Sequence, residues 1–184
     1  MHSEKVDAQD STGVALIRGG CADEPLHITG SYDVKCFDAD GNLRWEDTIK
    51  NLVVTVGKND LLDKYFAGSA YTAAWYMGLV DGASSPTYNA GDTLASHSGW
   101  TESTAYSGGN RITVAWNAAS AGSKSSTATT FNINASATIA GALLTVTQSN
   151  SVNTGVLYSA GSFTGGNRTV SSGDSLLVTY TASV

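Results

Sequence analysis

From about residue 30 onward, the chain alternates apolar and polar side chains at a period of two. Tyr32, Val34 and Cys36 alternate with Asp33 and Lys35, as in a strand with one buried face. Asp38-Ala39-Asp40-Gly41 supplies turn chemistry, and a return strand follows through Leu43 and Trp45. The apolar run Asn51–Val56 predicts another strand. Lys58–Ala67 then switches to helical spacing. Asn59 is the expected cap, Asp60 and Asp63 fall in the first turn, and Gly68 is the stop. Leu61, Leu62, Tyr65 and Phe66 form an apolar stripe on this helix, expected to pack against the core. Beyond it the pattern is again β. Trp75, Met77 and Leu79 alternate with Tyr76, Gly78 and Val80; both faces are apolar, which predicts a central strand. Ile112, Val114 and Trp116, then Phe131, Ile133 and Ala135, continue the alternation. Ile139–Val146 is a further apolar run, and Leu176, Val178 and Tyr180 close the chain.

One helix among many period-two segments predicts a mainly β fold, a β-sandwich or jelly-roll-like domain. Residues 1–30 carry a single short apolar run, Val14-Ala15-Leu16-Ile17, followed by Gly19-Gly20 and Pro25. So polar a segment cannot offset its own ordering entropy, so it reads as an extended arm, either disordered or ordered by a partner. Val14, Leu16 and Ile17 are its candidate contacts. The domain is expected over 31–184, with a hairpin and helix (31–68) leading into the main β part (69–184).

Charge divides the chain the same way. Residues 1–68 hold twelve acidic and seven basic side chains, whereas 69–184 hold only four and three. The net charge of −6 argues against binding phosphate backbones or an anionic membrane surface. No apolar run is long enough to span a bilayer, and the first residues lack the apolar core of a signal peptide. Cys21 and Cys36 fit neither a redox pair nor a zinc pattern and read as free thiols, Cys36 facing the core. Ser, Thr and Asn rows such as Thr127–Asn134 and Ser149–Thr154 suit flat faces that pair with neighbours.

Candidate chemistry is sparse. Gly173-Asp174-Ser175-Leu176 resembles the nucleophile motif of an esterase family, but it stands nine residues from Val184 and no histidine follows His97. It reads as a turn leading into a strand. His2, His27 and His97 lack ligand spacing, and Asp38-x-Asp40 lacks the closing glutamate of a calcium loop, with Ile49 in its place. Neither a metal nor a cofactor is expected. The most varied stretch runs from Asp92 through His97 and Trp100 to Glu102, a candidate contact loop for a partner or a carbohydrate. Its plainer reading is structural, with Trp100 plugging the end of the sandwich and Asp92 and Glu102 capping backbone groups. Two echoes recur: Gly109-Asn110-Arg111 with Gly166-Asn167-Arg168, and Gly91-Asp92 with Gly173-Asp174. Each pair reads as one turn used twice.

Leu52-Val53-Val54-Thr55-Val56-Gly57-Lys58-Asn59-Asp60-Leu61-Leu62, Trp75–Val80, Ser98–Glu102 and Gly173–Tyr180 together resemble a group of small tailed-bacteriophage virion proteins, usually encoded among head genes. The likeness covers about residues 45–184 and carries no catalytic residues. It implies a non-enzymatic role in the virion, as a capsid decoration or cement protein. The implied partners are the major capsid protein or other virion proteins and further copies of the chain, as a homotrimer. A neck, tail or fibre component is the alternative. A carbohydrate-binding module using Trp75, Trp100, Trp116 and Tyr106 is another.

Overall fold

The structure is a computed structural model that describes residues 27–66, 68, 74–83 and 85–184. Val14, Leu16 and Ile17 lie outside the described residues.

The chain folds into two antiparallel β-sheets packed face to face. The first joins β1 (Thr29–Phe37), β2 (Leu43–Lys50), β7 (Ser123–Ser125), β8 (Thr129–Asn132) and β12 (Ser175–Ser183). Its order is β2-β1-β12-β7, with β8 also paired to β12. The second joins β3 (Leu52–Val53), β4 (Trp75–Asp81), β5 (Glu102–Ser103), β6 (Ile112–Val114), β9 (Ala137–Thr145), β10 (Leu157–Ser162) and β11 (Arg168–Val170). It runs β3-β10-β9-β4-β5, with β11 on β9 and β6 on β4. One helix, α1 (Thr55–Phe66), links β3 to the strand β4.

The alternation read from the sequence decides which side chains meet between the sheets. Tyr32, Val34 and Cys36 from β1 and Leu176, Val178 and Tyr180 from β12 face Met77, Leu79, Ala142, Leu144 and Tyr158 from the second sheet. Tyr32 pairs with Tyr180 and Val34 with Val178 across the β1–β12 ladder. The charged N-terminal hairpin is therefore no appendage: its first strand is zipped along its full length to the last strand of the chain. That pairing starts at Thr29, two residues before the expected domain boundary.

The second sheet is buried on both faces. Val80, Ala140, Leu143, Leu157 and Ala160 form a second apolar layer on its outer side, closed by Val54, Leu94 and Trp100. In β9, Ile139, Ala142 and Leu144 face one core while Ala140 and Leu143 face the other. The phase slips at a bulge, where Val80 pairs with Gly141 and Asp81 with Ile139.

Several expectations need correction. The helix starts at Thr55, not Lys58, so the apolar run 51–56 divides between a two-residue strand and the first helical turn. Asn59 is not its cap: the Val54 carbonyl accepts from the Lys58 amide at 3.1 Å, and Thr55 donates its amide to Ala90. The cause is a close approach. A Cβ at Gly57 would lie 2.5 Å from the Tyr158 carbonyl oxygen, so the helix is laid on β10 through this glycine. Packing here overrides the strand preference of Val53-Val54-Thr55-Val56. The expected stripe is not a packing face either. Leu61 is half-buried, but Leu62, Tyr65 and Phe66 are exposed by 41%, 80% and 73%. Ala135, expected inside, is exposed, and the strand before it ends at Asn132.

Burial also shapes the response to alkali. It pushes the Cys36 thiol from 9.0 up to about 11, with the Asp174 carboxylate adding to the effect. Burial, reinforced by Glu102, pushes Tyr106 from 10.0 up to about 12. Tyr32 and Tyr180 are raised in the same direction, again chiefly by burial. Above these ordinary values the unfolded chain loses protons that the folded chain keeps, so stability falls as pH rises. Stability should be intact below pH 9.0, the ordinary thiol value, and fall progressively to about 12. Phenolate absorbance from these tyrosines should rise together with loss of near-ultraviolet circular dichroism. Phenolate appearing while the fold persists would contradict it.

Candidate functional site

The candidate contact loop lies on the outer face of the second sheet. Gly99 lets it close on itself: a Cβ there would sit 2.2 Å from the Thr87 carbonyl oxygen, and Thr87 donates its amide to Gly99 at 2.9 Å. Trp100 is thereby set into the second apolar layer and is only 2% exposed. Its indole Nε1 donates to Asp92 Oδ2 at 3.0 Å. The same carboxylate oxygen accepts from the Asn89 amide at 3.1 Å, while the Asp92 amide donates back to the Asn89 carbonyl at 3.0 Å. His97 stacks on Trp100 with ring centroids 3.9 Å apart and 20° between planes. Its Nδ1 sits 3.1 Å from the Trp100 carbonyl oxygen. Asp92, Trp100 and His97 thus form one pinned stack. Trp100 covers the outside of the second sheet, not the end of the sandwich.

Glu102 departs further from expectation, because its partner is not backbone. Arg111 grips it with Nε to Oε2 at 2.9 Å and Nη2 to Oε1 at 2.5 Å. Arg111 Nη1 donates to the carbonyls of Thr147 (2.9 Å) and Ser149 (2.8 Å). The side chains of Arg111 and Glu102 are 2% and 11% exposed. A bidentate, nearly enclosed pair of this kind has fixed geometry. It floors a concavity of about 460 Å³, also lined by His97, Thr101, Thr104 and Asn153. Asp92 does not line it, so Asp92 and Glu102 are not a facing carboxylate pair for glycoside hydrolysis.

No protein-family model matches this chain, and no curated protein matches it. What each residue does here follows from its contacts.

The sequence echoes have a structural meaning. Asp174 reproduces the Asp92 turn: its amide donates to the Ser171 carbonyl at 3.0 Å and its carboxylate accepts the Ser171 amide at 2.8 Å. Each aspartate then takes a distant donor, Trp100 for Asp92 and Arg44 for Asp174. Likewise Arg111 and Arg168 each follow positive-φ glycines and each clamp one carboxylate, Glu102 and Asp47. Burial opposes ionisation of Asp47, but bonds from Arg168, Thr164 and the Thr48 amide outweigh it and hold the carboxyl below its usual range.

Ser175, in the esterase-like tetrapeptide, donates to Asn132 Oδ1 at 3.4 Å, and its residue pairs with Phe37 as β12 begins. Asp38 accepts amides from Asp40 and Asn42 at 3.0 and 2.8 Å, closing the hairpin over Gly41. Among the described residues, no three His, Cys, Asp or Glu side chains are grouped to hold a metal ion.

A second concavity, about 350 Å³ and almost wholly apolar, lies where the C-terminal half of α1 overhangs the sheets. Trp75, Trp116, Tyr158 and Tyr180 line it, with Lys64 and Lys124 among the lining residues. Trp75 and Trp116 meet edge to face at 6.4 Å, and the Trp116 indole nitrogen is buried with no hydrogen-bond partner among the described residues. Sequence reading named Trp75 and Trp116 as possible sugar contacts but did not join them to Tyr158 and Tyr180 in one groove, and it missed Arg111, Thr101, Thr104 and Asn153 as site residues. The Gly-Asn-Arg echo and the polar run Ser149–Thr154 were the available signals for the Glu102 pocket.

Proposed function

We propose that this chain is a non-catalytic structural subunit of a tailed-phage virion, a decoration protein that attaches to the major capsid protein as a homotrimer. One observation carries the reading: the exposed aromatic end of α1. Tyr65 and Phe66 meet edge to face with centroids 4.9 Å apart, yet remain 80% and 73% exposed. With Leu62 they form an apolar patch beside the aromatic groove. Apolar clusters left on a surface are characteristic of contact with another chain. The side chains that would suggest catalysis support it too, since Asp92 is committed to Trp100 and Glu102 to Arg111. The likeness to small virion proteins adds to both.

The test uses capsids assembled without this protein. The wild-type chain should bind them and sediment as a trimer. Tyr65→Ser with Phe66→Ser should lose capsid binding while its melting temperature stays nearly unchanged, because exposed positions contribute within about 0.5 kcal/mol. Normal capsid binding by that variant would remove the patch from the interface. A wild-type monomer that ignores capsids would overturn the proposal. Imaging of complete particles separates head decoration from a neck, tail or fibre position.

Of the four aromatics of the carbohydrate-binding alternative, Trp75 and Trp116 line the apolar groove, whereas burial, 2% and 1% exposed, argues against Trp100 and Tyr106. Stripping either from the core would cost more than a sugar contact returns.

A further inference from the structure

The Glu102 pocket has a composition that the assembly role does not use. We infer that it binds a neutral, polyhydroxylated ligand, a saccharide unit. Its floor excludes the other common ligand classes. Arg111 spends four of its five N–H groups, two on Glu102 and two on backbone carbonyls, so little remains for an anion. An anion would also meet the Glu102 carboxylate. A cation gains little, because Arg111 already neutralises that carboxylate. The carboxylate still has acceptor capacity, since an ionised carboxylate offers about four lone-pair sites and Arg111 occupies two. Neutral O–H donors fit that vacancy.

The walls agree. The Asn153 carboxamide and the Thr101 and Thr104 hydroxyls line the pocket and make no hydrogen bond of their own among the described residues. They supply donors and acceptors for hydroxyl groups. Val152, 41% exposed, adds apolar surface for the C–H face of a ring. His97 is held rigid by its stack on Trp100 and its contact with the Trp100 carbonyl, leaving Nε2 without a partner among the described residues. Asp92 and Trp100 are thus positioning residues for this wall. The volume, about 460 Å³, is in the range of small-ligand sites and admits one or two sugar rings. The pocket and the α1 patch share no lining residue, so this site stands or falls separately from capsid attachment.

A neutral-glycan array on the intact chain tests it, followed by amide chemical-shift titration with the strongest binder. N-acetylglucosamine and galactose at millimolar concentration serve as fixed probes in parallel. Binding should shift amides around His97, Thr101–Thr104 and Asn150–Asn153. Asn153→Ala and Thr104→Val, both at exposed positions, should each weaken it about tenfold with the fold intact by circular dichroism. A silent array with no shifts from either probe would refute the assignment. So would binding that both variants leave unchanged, or shifts confined to another face.

Discussion

Glu102→Ala should destabilise the protein by about 3–5 kcal/mol, because it strands Arg111 as a buried charge without its counter-ion. Arg111 is 2% exposed and its guanidinium is anchored by the Thr147 and Ser149 carbonyls, so it cannot swing out to water without breaking both bonds. Domains of this size are stable by about 5–15 kcal/mol, so the loss is a large share of the total. Chemical denaturation of the variant should show a much lower midpoint. The decisive comparison is Glu102→Leu combined with Arg111→Met. Removing both charges removes the stranded ion, and the freed carbonyls belong to residues that are only half-buried. The double variant should therefore recover most of the stability that the single change loses. If it is as unstable as Glu102→Ala, the pair's value lies in shape and not in charge compensation.

Trp100→Ala should cost a similar amount, about 3–5 kcal/mol, through a different mechanism. The indole fills the second apolar layer together with Leu94, Val80 and Leu143, with the Tyr88 ring 6.0 Å away. Its loss opens a cavity, removes the Nε1 bond to the buried Asp92 carboxylate and leaves His97 without its stacking surface. Trp100→Phe keeps most of the apolar ring while losing the indole donor and a little volume, so its cost should be nearer about 1–3 kcal/mol. Thermal unfolding of the two variants measures both terms. Equal destabilisation would show that the Asp92 bond, not the packing, holds the loop down.

These two residues show how unevenly the site could be read in advance. Asp92, His97, Trp100 and Glu102 stood out together because they form the most chemically varied stretch of a weakly charged region. Their roles did not. The bond from Trp100 to Asp92 spans eight residues of a loop without a period to fix which side chains face each other. Glu102 and Arg111 are nine residues apart and meet only because β5 and β6 both pair with β4. Nothing local to either residue specifies that both will lie beside the same strand.

The mainly β character, the turn at Asp38 and the inward faces of β1, β4 and β12 were determined by the sequence alone. Side-chain alternation is a local property: a strand's period of two assigns each residue to a face whatever the strand later pairs with. The tertiary structure decided everything that depends on which distant segments touch. It zipped Thr29–Phe37 to Ser175–Ser183, and it brought Arg44 to Asp174 and Arg168 to Asp47. It also laid Gly57 against Tyr158, which moved the start of the helix and turned Tyr65 and Phe66 to the outside. Such contacts are selected by the burial of both sheets at once, a global balance that no window of neighbouring residues contains.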